Sequence, residues 1–188
     1  MSKLNFLWLL ALPLILASCV THRVQFEDLQ PRVAAAHQAG SLTVVIDAAT
    51  RAHETPIKSA MAGMGNTWIV QSGRMLVQMS DTEFPKLYGG YSLLETAPAS
   101  STSPVLYLGL ASYSFADLHA NVTLTARATD AGGKLLLEKS YSGTGETQGG
   151  KMFWGGAFAM RSALRQSSHT AFAQAFEALL KDLAAPAP

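Results

Sequence analysis

The chain has one cysteine in 188 residues. A single thiol rules out an intramolecular disulfide and any zinc site built on several cysteines. Charge is sparse as well: 14% of residues are charged, 14 basic against 13 acidic. A nucleic-acid partner wants a basic stripe, so this balance argues against one. His22, His37, His53, His119 and His169 are scattered without the spacing of metal ligands, and His53-Glu54 fails the His-Glu-x-x-His pattern because residue 57 is Ile. No metal or other cofactor is expected. No second stretch beyond the N-terminus is long and apolar enough to span a bilayer as a helix.

Catalytic patterns are thin too. Asp117 and His119 could join a serine in a triad, but no Gly-x-Ser-x-Gly supports one. Gly145 to Met152 comes within one residue of the phosphate-cradling loop pattern, with Gly150-Lys151 in place. Met152 has no hydroxyl for a magnesium ion, and no partner aspartate follows an apolar strand, so a flexible glycine loop is the better reading. The chain is expected not to be an enzyme.

What is present begins at the N-terminus. Lys3 supplies a positive charge, and Leu4–Leu16 is an apolar run broken only by Asn5 and Pro13. That is the length of a signal-peptide core, short of the ~20 residues of a spanning helix. It closes on Leu16-Ala17-Ser18-Cys19. This pattern resembles the lipobox of bacterial lipoproteins. The resemblance implies cleavage before Cys19, acylation of its sulfur and of the new amine, and an anchor with more than the two signals stable attachment needs. By the sorting rule of that class, Val20 in place of Asp implies the periplasmic leaflet of the outer membrane. Cleavage would remove 18 of 188 residues and leave 170, enough for one domain with its own core. Lys3 is the one charge removed, so the mature chain would carry 13 basic and 13 acidic residues.

Residues 19–40 read as the lipidated cysteine and a tether. Pro31 and Gly40 bracket a short helical stretch, and an extended tether would reach at most ~70 Å. A single periplasmic domain is expected over residues 41–185. Ser41–Ala48 is rich in β-branched residues and reads as a buried strand. Residues 49–66, with Pro56, Gly63 and Gly65, read as a mobile loop, and Thr67–Gln71 as a short extended piece. Leu76, Met79, Glu83 or Phe84, and Leu87 recur at helical spacing within Gly73–Leu87, with Ser80 and Glu83 spaced to cap its second turn and Gly89-Gly90 ending it. Tyr91–Thr96 reads as a strand. Val105–Ala116 is apolar and aromatic, with Gly109 a candidate bulge. Asn121–Thr129 alternates: Val122, Leu124, Ala126 and Ala128 on one face, Thr123, Thr125, Arg127 and Thr129 on the other. Asp130 to Gly133 is a turn, and Lys134–Ser142 returns as the partner strand. From Ala159 to Leu183, the residues Leu164, Ser168, Ala171, Phe172, Ala175, Phe176, Leu179, Leu180 and Leu183 form one stripe of an amphipathic helix. The order predicts an α+β fold: a two-layer sandwich with a mostly antiparallel sheet of about four strands, covered by two helices, the C-terminal one long.

Three segments carry a further resemblance: Val44-Val45-Ile46-Asp47, the hairpin from Asn121 through Glu146, and the Ala171–Leu183 helix pattern. Over roughly residues 41–183 they look like small periplasmic lipoproteins of the YajG-like kind, and the CsgG-like and TolB N-terminal folds are similar. LptE-like lipoproteins share the anchor and a comparable helix-on-sheet order. The chain lacks room for the membrane-spanning hairpins of CsgG, which argues against a pore.

Met152, Phe153 and Trp154 lie between paired glycines in the stretch 149–158. They would either lid the core or form a docking loop for a partner or the bilayer interface. The expected role is a non-catalytic outer-membrane lipoprotein, an accessory or assembly subunit of an envelope system with a protein partner and possible self-association. The alternative is a carrier or chaperone for a lipid or lipopolysaccharide held between helix and sheet.

Overall fold

The computed structural model describes residues 20–26, 38–57, 66–147 and 156–184. In chain order its elements are β1 (Val20–Val24), β2 (Gln38–Val45), α1 (Ala48–Arg51), β3 (Thr55–Ile57), β4 (Asn66–Val70), α2 (Ser72–Glu83), β5 (Tyr88–Leu94), β6 (Val105–Ala116), β7 (His119–Thr129), β8 (Leu135–Glu146) and α3 (Gly156–Ala184). A 3-10 turn, Phe84–Lys86, follows α2 and accommodates Pro85 in its first turn, where no helical N–H is needed.

The α+β class holds, but the sheet is not one four-stranded layer. Five strands run in the order β5-β2-β6-β7-β8, and three more form a second sheet, β1-β4-β3. Nor is the pairing mostly a chain of hairpins. The β2 strand lies parallel to both β5 and β6, and β1 lies parallel to β4. Parallel neighbours need crossovers, and α1, β3, β4 and α2 supply the one from β2 to β5.

Two parts of the chain are more ordered than their composition suggests. Val20–Val24, read as tether, is a strand in register with Asn66–Val70, and Val24 and Phe26 are buried in the core. Within 49–66, read as a loop, the described residues form α1, capped by the Asp47 carboxylate on the Thr50 N–H, and β3, paired with β4. The helix expected near Pro31 falls almost wholly outside the described residues, and Gln38 already belongs to β2.

The α2 helix buries Met75, Leu76 and Met79, as its spacing predicts. Ser80 does not cap a turn; its hydroxyl donates back to the Leu76 carbonyl at 2.9 Å inside the helix. Gly89 and Gly90 do not end a helix but sit inside β5, where Gly90 lies against Ser41 of β2. The bulge in β6 falls between Leu110 and Ser112 rather than at Gly109.

The long hairpins match the alternation closely. Val122, Leu124, Ala126 and Ala128 of β7 are all buried. The β7–β8 turn puts Gly133 at φ +85°, with the Asp130 carboxylate accepting from the Gly132 and Lys134 N–H groups. Strand β6 runs nine residues past Tyr107, its last residue paired with β2, so β6, β7 and β8 project by about 30 Å beyond the parallel pairing. The 29-residue α3, about 44 Å long, covers that projection. Its stripe of Leu164, Ala171, Phe172, Ala175, Phe176 and Leu179 is fully buried. Phe172 meets Phe26 and Tyr113 at 6.0 and 6.5 Å between centroids, and Phe176 meets Phe84 at 5.7 Å. These ring contacts join both sheets and both long helices in one core.

Candidate functional site

Cys19 and the trio Met152, Phe153 and Trp154 lie outside the described residues, as does the signal-like segment 1–18. Their flanks are described. Cys19 is one peptide bond from the start of β1. The stretch 148–155 links the end of β8 to the start of α3, and the Thr147 N–H there donates to the Leu118 carbonyl at 3.2 Å. Leu118 and Asp117 form the two-residue tip of the β6–β7 hairpin, both in the left-handed region, at φ +65° and +50°.

The seam between α3 and the sheet is closely packed, backbone against backbone. A Cβ on Gly143 would fall 2.0 Å from the Ala171 carbonyl oxygen, and one on Gly145 would fall 1.9 Å from that of Ser167. The two glycines face one side of β8 at the strand period of two, and they let helix backbone touch strand backbone. Ser167 then ties the layers: its buried hydroxyl donates to the Gly145 carbonyl and accepts from the Ala120 N–H. One residue on, Ser168 donates to the Leu164 carbonyl at 2.6 Å and so accepts from the Tyr113 hydroxyl at 2.7 Å. Burial pushes the Tyr113 phenol up to about 12. Sequence reasoning placed Ser168 on the stripe but missed Ser167. The signal was there in the small residues of the helix opposite the Gly-x-Gly of β8.

The opposite face of the large sheet mixes polar and apolar side chains. Register aligns Leu94, Val45, Tyr107, Arg127 and Glu138 in one row across all five strands. The next row holds Gly109, Thr125 and Ser140. Gly109 leaves a gap that a Cβ would fill against the Thr125 hydroxyl at 2.7 Å. With Asp47 at the rim, Val45, Tyr107, Gly109, Thr125, Arg127 and Ser140 are among the residues that line an open hollow of about 700 Å³. Two backbone and side-chain hydrogen bonds from Thr50 hold the Asp47 carboxyl below its ordinary value. Arg127 and Glu138 stand exposed and opposite each other, and among the described residues neither forms an ion pair. Farther along, Thr123 meets Ser142 and Asn121 accepts from Thr144, which leaves a field of small hydroxyls.

Two clusters resemble catalytic groups but have structural geometry. His53 Nδ1 lies 2.8 Å from the Ser72 hydroxyl, the spacing of a nucleophile and its base. The Ser72 side chain is fully buried, however, and also bonds Thr55 and the His53 carbonyl, so it latches α2 to β3. Asp182, near the end of α3, accepts from Lys139 and from the Tyr141 hydroxyl, both at 2.8 Å. These bonds lower the Asp182 carboxyl, while burial and that carboxylate raise the Tyr141 phenol. Asp117 and His119 do not form a dyad; His119 bonds the Asp117 backbone carbonyl and faces Glu146 at 3.7 Å. Among the described residues no group of three or more His, Cys, Asp or Glu is placed to hold a metal ion.

No protein-family profile matches the chain, and no curated protein matches it. Some solved structures are similar to it in outline. A Xanthomonas campestris protein of the DUF330 family is 11% identical, with 86% of this chain and 99% of that one covered at a TM-score of 0.46. A protein from Caulobacter crescentus described as a putative lipoprotein is 16% identical over 59% and 80%, at 0.33. A hypothetical protein from Chlamydia trachomatis is 8% identical over 77% and 95%, at 0.39. At these scores the likeness carries no statement about function. No described helix is long and apolar enough to cross a membrane.

Proposed function

We propose that this chain is a non-catalytic lipoprotein, anchored through Cys19 in the periplasmic leaflet of the outer membrane, that serves as an accessory or assembly subunit of an envelope system by binding protein. The anchor rests on the Leu-Ala-Ser-Cys pattern and the signal-like run before it. The finer resemblance to YajG-, CsgG- or TolB-like domains belongs to the same proposal.

The observation that carries the binding role is the free edge of β8. Its C-terminal half is guarded by α3, where Gln174 accepts from the Thr144 N–H and Ser167 bonds Gly145. In its N-terminal half Lys139 still bonds Asp182 of α3, and ahead of it the strand presents Leu135 and Leu136 at 47% and 44% exposure. Natural edge strands are normally blunted by charge, Pro or a covering element. The exposed apolar start of an edge strand is what β-strand addition by a partner uses. The carrier alternative needs an apolar space between helix and sheet. The backbone contacts at Gly143 and Gly145, and the buried rings of Phe172 and Phe176, count against it.

The test is a photo-crosslinking residue at Leu136 in intact cells, with one at exposed Glu177 of α3 as control. One envelope protein crosslinked from Leu136 and not from Glu177 is the expected result. Lipid as the sole adduct would instead favour the carrier, and no adduct at all would remove the reading.

A further inference from the structure

We infer that the domain stands directly on the bilayer, with the end of the small sheet that holds Val20 and Asn66 against the phospholipid headgroups. The inference rests on the lipoprotein reading of Cys19 and adds the orientation of the domain to it.

The argument is one of slack chain. A tether of some twenty residues would let the domain float tens of ångströms above the lipid. The structure leaves no such tether. Cys19 and Val20 are consecutive, so their Cα atoms are about 3.8 Å apart. Val20 is already paired with Asn66, Thr21 with Thr67 and His22 with Trp68. Trp68 is paired in turn with Ile57 of β3. Everything from Val20 onward in β1 is therefore held by the body of the protein.

A diacylglyceryl group on the Cys19 sulfur lies where headgroup meets hydrocarbon, and the headgroup layer is only about 5–8 Å deep on each side. Cys19 must lie within or just above that layer, and the first residue pair of the sheet comes with it. Trp68, two residues along β4 from Asn66, then stands about 7 Å higher. Charge permits this contact. The strands of the small sheet contain His22 and Arg23 but no Asp or Glu, and Glu54, which pairs with Arg23 at 3.4 Å, precedes β3 at the end of the sheet away from Val20, so the near end brings no strand carboxylate toward lipid phosphates. Burial of Val24 and Phe26 at the far end of β1 resists peeling the strand away to make a tether.

Trp68 is a built-in depth gauge. Trp8 leaves with the signal segment, and Trp154→Phe makes Trp68 the sole tryptophan of the mature chain. The acylated Trp154→Phe protein is placed in phosphatidylethanolamine/phosphatidylglycerol vesicles containing a headgroup spin-labelled lipid, and Trp68 fluorescence quenching is read. Strong quenching is expected. Insertion of about twelve Gly/Ser residues between Cys19 and Val20, with a reach of ~40 Å, should lower it at least about twofold. Mass spectrometry of the N-terminal peptide accompanies each measurement. Acylated Cys19 with weak quenching, or quenching unchanged by the spacer, overturns the orientation and leaves the anchor intact. An unmodified Cys19 thiol overturns the anchor itself, and the orientation with it.

Discussion

The Ser167 hydroxyl donates to the Gly145 carbonyl oxygen at 2.5 Å, across a gap that exists because residue 145 has no side chain. The same hydroxyl accepts from the Ala120 N–H at 2.7 Å, so one small side chain joins α3 to two neighbouring strands. Gly145→Ala would drive a methyl group into the Ser167 carbonyl, and backbone on both sides cannot yield cheaply. A loss of about 3 kcal/mol in urea unfolding is expected. Ser167→Ala should cost about 2 kcal/mol, because the Ala120 amide is left buried without an acceptor. A Gly145→Ala protein as stable as the wild type would show that helix and strand are not in contact there.

The hairpin tip should respond in the opposite direction. Leu118 holds φ +65°, a conformation that is costly for a bulky residue, in a two-residue turn where both central positions have positive φ. Glycine relieves that strain, so Leu118→Gly should raise stability by about 0.5–1 kcal/mol. A loss instead, seen as a lower urea midpoint, would mean that the packing of the half-buried leucine outweighs its strain.

Tyr113 sets a pH dependence. Its folded-state phenol is raised to about 12 by burial, above the ordinary 10. Its contribution is therefore complete below about pH 10 and is lost as pH rises toward 12, because the unfolded chain ionises first. Wild type should exceed Tyr113→Phe by about 1 kcal/mol near pH 8, from the bond to Ser168. The difference should shrink above pH 10 and reverse near pH 12, where two pKa units amount to about 2.7 kcal/mol. Urea midpoints of the two proteins from pH 8 to 12 measure this directly.

His53 and Ser72 give a chemical test of the non-catalytic reading. A working serine nucleophile reacts with a fluorophosphonate, but a hydroxyl with no exposed surface should not. Intact mass after exposure should be unchanged. Ser72→Ala should cost about 1 kcal/mol through loss of the latch between α2 and β3. A stoichiometric adduct at Ser72 would make the protein a hydrolase candidate.

Much of the fold is legible in local pattern. The clean alternation of Val122, Leu124, Ala126 and Ala128 identifies a strand and its buried face, because side chains on a strand alternate strictly. The Asp130 to Gly133 turn and the α3 stripe are equally local, since each is decided by residues within a few positions of one another. The Val20–Val24 strand is not legible in this way. Five residues, three of them polar, look like linker until β4 is set beside them, and that partner lies some forty-five positions away. The open hollow is hidden for the same reason: Val45, Tyr107, Arg127 and Glu138 form a row only through register between four strands.

The one-dimensional order of residues is enough for the class α+β, the long terminal helix and the faces of the main hairpin, and it carries the Leu-Ala-Ser-Cys pattern on which the proposed anchor rests. Each of these depends on neighbours in the chain, through local motif, helical period or strand period. Three-dimensional pairing was needed for the split into two sheets, the parallel placement of β2, the Gly143–Gly145 seam and the absence of slack after Cys19. Those depend on which distant segments meet, and local propensity does not carry that information.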